Sequence, residues 1–127
     1  MKPTKFHNTK LTNYLGTFDS VKEYKYYLLL LSRRKRGEIT ELHRQVEFEI
    51  IPQQTTTVQV ISPVRKKITE KVKVLEKRAV YTSDFTYREN GELVVVDVKS
   101  DITRKQADYV LRRKLMLYVH GIKITEV

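Results

Sequence analysis

VYTSDFTYRENGELVVVDVK, residues 80–99, holds two runs rich in β-branched and aromatic residues, Val80 to Tyr87 and Glu92 to Lys99. Glu89-Asn90-Gly91 between them supplies a turn, so the two runs read as neighbouring antiparallel strands of one hairpin. Leu93-Val94-Val95-Val96 is apolar at four consecutive positions, as in a central strand covered on both faces. That run ends on Asp97-Val98-Lys99. Side chains two residues apart on a strand project from the same face, so Asp97 and Lys99 converge, and Asp84 on the adjoining strand can lie across from them.

Charge at the end of a buried strand needs partners, because desolvating it is expensive. One solution is a structural ion pair between Asp97 and Lys99, with Asp84 as an edge residue. The other is chemistry. Two carboxylates a few ångströms apart bind a divalent cation, which acidifies water and stabilises charge on a phosphoryl group under in-line attack. Lys99 then orients or activates that water, or stabilises the developing phosphorane. Spacing alone leaves both open.

Working outward, Leu42, Val46, Phe48 and Ile50 alternate along a strand from Glu41 to Ile51, which Arg44 interrupts and Pro52 ends. Between Pro52 and Ala79 lie short alternating pieces around Val58, Val60, Val72 and Val74, expected to form a strand or hairpin extension. This stretch carries Arg65, Lys66, Lys67, Lys71, Lys73, Lys77 and Arg78 against Glu70 and Glu76, a surplus of five and half of the chain's +10. Ser20 with Glu23 fits a capping box, and Val21, Tyr24, Leu28 and Leu31 predict the inward face of a helix that Gly37 ends. A second helix is expected from Thr103 to His120, with Ala107, Leu111 and Tyr118 inward and Gly121 as its stop. Ile122, Ile124 and Val127 suggest a last short strand. Residues 1–17 read as a flexible basic arm, and 18–127 as one domain with a basic insertion at 52–79.

The chain has 127 residues, no cysteine, and only three scattered histidines, His7, His43 and His120. Zinc is therefore disfavoured, and any metal should be a hard cation held by carboxylates, Mg²⁺ with Mn²⁺ as a substitute. No apolar run is long enough for a membrane span, and Met1 to Asn8 lacks a signal-peptide core, so a soluble cytoplasmic protein is expected. A formal charge of +10 favours a polyanionic partner, nucleic acid first. Arg104, Lys105, Arg112 and Arg113 on the second helix are further candidates for phosphate contact, besides Arg65, Lys66, Lys67, Lys71 and Lys73.

Ser83-Asp84-Phe85, a glycine-containing turn and Leu93 to Lys99 followed by a helix resemble the PD-(D/E)XK nuclease superfamily. Ser83 stands where that superfamily often has proline. Over residues 18–127 the chain also resembles a phage-borne, resolvase-like branch of it, through Phe18-Asp19-Ser20 with Glu23, Gly37-Glu38-Ile39, Gln45 with Phe48, Asp84-Phe85 with Tyr87, Asp97-Val98-Lys99 with Thr103, and Gly121-Ile122. The resemblance implies a mixed central sheet flanked by helices, a restriction-endonuclease-like αβββαβ core, here with a basic β extension. It implies a magnesium-dependent endonuclease acting on DNA, with branched DNA or Holliday junctions as substrate, in the cytoplasm of a bacterial host. Glu23 becomes a third acidic residue of the metal site and Gln45 a residue supporting it. Cutting two strands of a junction is easiest for a two-fold dimer, so a homodimer is expected. A non-catalytic nucleic-acid-binding protein with a structural Asp/Lys pair is the alternative.

Overall fold

The structure, a computed structural model, describes residues 10–127. In chain order it forms β1 (Leu11–Asn13), β2 (Gly16–Phe18), α1 (Val21–Lys35), β3 (Thr40–Ile51), β4 (Gln54–Ile61), β5 (Ile68–Glu76), β6 (Ala79–Glu89), β7 (Glu92–Asp97), α2 (Asp101–Arg104), α3 (Ala107–His120) and β8 (Thr125–Glu126). A mixed central sheet has the order β3-β6-β7-β8, antiparallel except for the β7–β8 pair. Helices α1 and α3 flank it, so the mixed α/β class expected from the sequence holds.

The Asn-Gly dipeptide sets the central hairpin. Glu89 pairs with Glu92, and Asn90 and Gly91 take φ of 52° and 80°, which makes a two-residue turn of the type whose twist suits hairpin strands. From there the register places Phe85 opposite Val96 and brings Asp84 alongside Asp97. β7 ends at Asp97, so Lys99 lies just beyond the strand, where its backbone N–H donates to Val127 O at 3.0 Å.

Two buried clusters hold the layers together. Tyr81, Val95 and Ile50 meet Tyr109 and Met116 of α3, whereas Phe85, Tyr87 and Val96 meet Leu30 of α1. Along β7 the alternation is regular: Val95 faces α3, and Val94 and Val96 face α1. Along β3 and β6 it is not, since Leu42 and Phe85 face α1 while Ile50 and Tyr81, each an even number of residues away, face α3. The ribbon thus turns over between these positions. Gln45, a non-glycine residue at φ 52°, lies in that stretch next to Asp84. A left-handed side-chain residue costs about 1–2 kcal/mol, and such strain gathers at functional sites.

Four expectations need correction. The inward residues of α1 include Glu23 and Leu30, with Val21 and Leu28 exposed, because the helix turns a carboxylate toward the sheet. The second helix is broken: Ser100 caps α2, Gln106 at ψ 133° leaves helical geometry, and α3 starts afresh at Ala107. With that restart Tyr109 and Met116 face inward, while Leu111 and Tyr118 are exposed. The expected basic arm over residues 1–17 also includes structure. Residues 1–9 lie outside the described ones, but β1 and β2 form a hairpin ending on the buried Phe18. Finally, Arg44 does not interrupt β3. Its guanidinium lies 3.8 Å from the Phe18 ring centroid and donates to Thr17 O at 2.7 Å, pinning that hairpin to the sheet. Gly16 suits that turn through its φ of 123°, a conformation that residues with a side chain rarely adopt.

Candidate active site

The turned-over ribbon, the end of β7 and the first turn of α1 bring Asp84, Asp97, Lys99, Glu23 and Gln45 into one neighbourhood. Asp97 is 1% exposed. Its Oδ2 accepts from Tyr81 Oη at 2.8 Å and lies 3.4 Å from Lys99 Nζ, while the buried Oδ1 has no partner. Asp84 Oδ2 accepts from the Val98 N–H at 2.8 Å, and its carboxyl stands near enough to push that of Asp97 up. Glu23, 2% exposed, does two jobs at once. Its backbone N–H donates to Ser20 Oγ and its Oε2 accepts from Asp19 N–H, both at 3.1 Å, which caps the helix. Its Oε1 accepts from Gln45 Nε2 at 3.3 Å, and the same nitrogen lies 3.5 Å from Asp84 Oδ1. One amide donor group is thereby held between two carboxylates.

The electrostatics show a surplus of negative charge. Burial, reinforced by the Asp84 charge, pushes the Glu23 carboxyl up from its ordinary 4.5 to about 7. Burial also raises Asp97, as does its contact with Asp84, and the opposing pull of Lys99 and the Tyr81 hydroxyl only partly offsets this. The Tyr81 hydroxyl is itself driven up by burial and then by Asp97, so it remains a proton donor. Lys99 is shared further, its Nζ standing 5.0 Å from the Tyr109 ring centroid.

Two hollows open on this cluster and both reach Lys99 and Thr103. One, of about 190 Å³, exposes Glu23, Asp84, Asp19 and Lys22. The other, of about 350 Å³, exposes Asp97, Tyr81, Tyr109 and Arg112. Among the described residues no three acidic, histidine or cysteine side chains stand together as a ready ligand set. Mg²⁺ nevertheless needs only one or two protein carboxylates, filling its other positions with water and phosphate oxygens. Adjacent Asp84 and Asp97, with one buried carboxylate oxygen unpartnered, fit that requirement.

Residues 3–125 match the family described as "Protein of unknown function (DUF1064)". The chain belongs to that family. No curated protein and no solved structure matches it.

In this DUF1064 chain the expected phosphate-binding residues fall into two groups. Arg65, Lys66, Lys67, Lys71 and Lys73 are all exposed on the β4–β5 hairpin. Of those nearer the cluster two are engaged, Arg112 Nη1 donating to Val80 O at 2.7 Å and Arg113 Nη1 lying 3.4 Å from Glu126 Oε1, while Arg104 is half-buried and Lys105 exposed. Of these, Arg112 lines the hollow that Asp97 reaches. Sequence reasoning missed Tyr81 and Tyr109. No spacing rule finds Tyr81, because its contact with Asp97 depends on the ribbon turning over. No helix among the described residues is long and apolar enough to cross a membrane.

Proposed function

We propose that this protein is a metal-dependent endonuclease that hydrolyses DNA phosphodiester bonds, with branched DNA such as a four-way junction as its substrate. The observation that carries the proposal is the approach of Asp84 to the buried Asp97 beside Lys99, with Glu23 linked to Asp84 through Gln45. There two carboxyls are raised and Asp97 Oδ1 is left without a partner. A fold rarely gathers uncompensated acid in its interior unless a cation or a proton transfer uses it.

Asp84 and Asp97 would hold Mg²⁺, or Mn²⁺ in its place, which when bound supplies charge stabilisation at a phosphoryl oxygen and acidifies water. The chain's own groups do the rest. The Tyr81 hydroxyl and Lys99 both hold Asp97 Oδ2, which leaves Oδ1 directed to the ligand. Lys99, with access to both hollows, stabilises negative charge developing on the phosphorus centre. Glu23, raised to about 7, can take a proton from an incoming nucleophile near neutral pH, and Gln45 holds it against Asp84. A two-fold dimer suits a substrate with two strands to cut, and exposed Leu28, Leu29, Leu111 and Leu117 offer apolar helix surface for it.

The deciding experiment is cleavage of a four-way junction and of linear duplex with Mg²⁺, with Mn²⁺ and with EDTA. Divalent-dependent cutting that disappears in Asp84→Asn and Asp97→Asn supports the proposal, and absence of cutting on both substrates with either metal sinks it. A second reading has its own observation. Lys99 is 3.4 Å from Asp97 and stands over Tyr109, as in a structural ion pair of a non-catalytic nucleic-acid-binding protein.

A further inference from the structure

The β4–β5 hairpin continues the β3–β6 ribbon outward. Ile51 pairs with Ala79 at the end of the central sheet, and after Pro52 and Gln53 the pairing resumes with Gln54 opposite Glu76. Every residue of β4 and β5 is exposed, and each strand pairs only with the other. At about 3.3 Å per residue the arm is roughly 30 Å long, close to one helical turn of duplex. A lone two-stranded hairpin is marginal in water, so an arm of this length implies a surface to lie against.

Its register sorts charge by face. Opposed residues of an antiparallel pair share a face. Lys71 opposite Val58 and Lys73 opposite Thr56 share one, with Thr69 opposite Val60. Glu70 opposite Gln59 is on the other face, with Val72 opposite Thr57 and Val74 opposite Thr55. Beyond a register shift Glu76 stands opposite Gln54, so at the base of the arm it falls on the face of Thr56 and Lys73. The tip adds Arg65, Lys66 and Lys67, where Lys66 takes φ of 48° and the Ser62 N–H donates to Lys67 O at 3.0 Å. Both cations of the paired strands thus fall on one face, next to the basic tip.

We infer that the Lys71–Lys73 face and the Arg65–Lys67 tip form a phosphate-tracking arm that lies along nucleic-acid duplex next to the point of cleavage. That the polyanion is duplex DNA rests on the proposed function. The one-sided arrangement of cations rests on register alone. A two-stranded ribbon also has the cross-section to enter a major groove.

The test is duplex binding in EDTA across a salt series, where catalysis plays no part. Lys71→Gln with Lys73→Gln should lower the slope of log affinity against log salt by up to about 1.8, at about 0.9 for each phosphate that is no longer neutralised. Glu70→Lys changes net charge by the same amount, with opposite sign, on the other face. If only net charge matters, that variant tightens binding as much as the lysine pair weakens it, which overturns the inference. An unchanged slope in the lysine pair, or binding of those lysines to anionic phospholipid vesicles with no effect on duplex affinity, overturns it too. Because Ile51 and Ala79 are paired, residues 52–78 can be replaced by Asn-Gly to close a continuous hairpin. That variant should retain Mn²⁺ binding at the acidic cluster and leave a duplex footprint shorter by about nine base pairs, at about 3.4 Å per pair. A footprint of wild-type length overturns the inference. Failure of Mg²⁺-dependent cutting with an intact lysine-face effect defeats the nuclease proposal alone, and the converse defeats the arm alone.

Discussion

The acidic cluster and the β4–β5 arm use charge in opposite ways. In the cluster each charged group is tied to a named atom: Asp97 to Tyr81 and Lys99, Asp84 to the Val98 N–H, and Glu23 to Asp19 and Gln45. In the arm the exposed Lys71 and Lys73 form no ion pair among the described residues, and their sole organisation is the face they share. Burial makes the first charges strong, local and demanding in geometry, whereas exposure leaves the second weak, additive and screened by salt. Substitutions in the cluster should therefore change chemistry by orders of magnitude with little change in affinity, and substitutions in the arm should do the reverse.

The largest expected effect breaks the comparison most cleanly. Asp97→Asn keeps size and polarity but removes the cation's anchor, so junction cutting should fall by at least about a thousandfold. Duplex binding, measured by gel shift in EDTA, should persist. The folded state should not suffer, because the substitution removes a charge already held unfavourably by burial. If Asp97 and Lys99 are only a structural pair, Asp97→Asn instead lowers the melting temperature and spares whatever activity the folded molecules have. Lys99→Ala should follow with a loss of cutting of about 10²–10³-fold while Mn²⁺ affinity stays near wild type. Equal rates for this variant and wild type would remove Lys99 from the chemistry.

How far this contrast was legible in the sequence depended on what disturbed the patterns. The central hairpin was readable because Asn90-Gly91 sets a register and Leu93 to Val96 declares a covered strand. Asp84 beside Asp97 followed from that register, whereas the mixed sheet was expected from the family resemblance. The helix faces were not readable, for a physical reason: each buries a polar residue. Glu23 and, on α3, the half-buried Arg113 occupy inward positions, so hydrophobic periodicity pointed to Val21, Leu28, Leu111 and Tyr118 instead. A site that needs charge in the interior corrupts the signal used to find the interior. Arg44 misled in the same manner, as a cation on a buried face whose partners, Phe18 and Thr17, belong to a hairpin with little sequence periodicity.

A subtler variant sharpens the cluster's side of the contrast. Tyr81→Phe deletes one hydroxyl that donates to Asp97 Oδ2 and leaves the ring in its buried cluster. If that hydrogen bond aims Oδ1 at the cation, Mn²⁺ affinity should fall by about tenfold, the usual scale for removing a group that orients a metal ligand. Titration calorimetry with Mn²⁺ reads this without any cleavage, and unaltered affinity would make Tyr81 only a packing residue.

The smallest effect is a pH dependence of stability, for which the cluster and the arm again predict differently. Glu23 binds its proton more tightly in the folded protein, at about 7 against an ordinary 4.5, and Asp97 is shifted in the same direction. The folded state therefore holds more protons than the unfolded state between those values, and stability falls as pH rises through that window. Without divalent metal the melting temperature should be higher near pH 5 than near pH 8, by on the order of 5 °C. Mg²⁺ should reverse this at the upper end, because it competes with protons for the same carboxylates: its stabilising effect should be small at pH 5 and larger at pH 8. Glu23→Gln should flatten the metal-free slope, since the amide no longer titrates, whereas neutralising Lys71 and Lys73 on the exposed arm should leave it unchanged. A metal-free melting temperature that does not fall between pH 5 and 8 would mean the cluster opens to water and relaxes its charge, and the buried cation site with it.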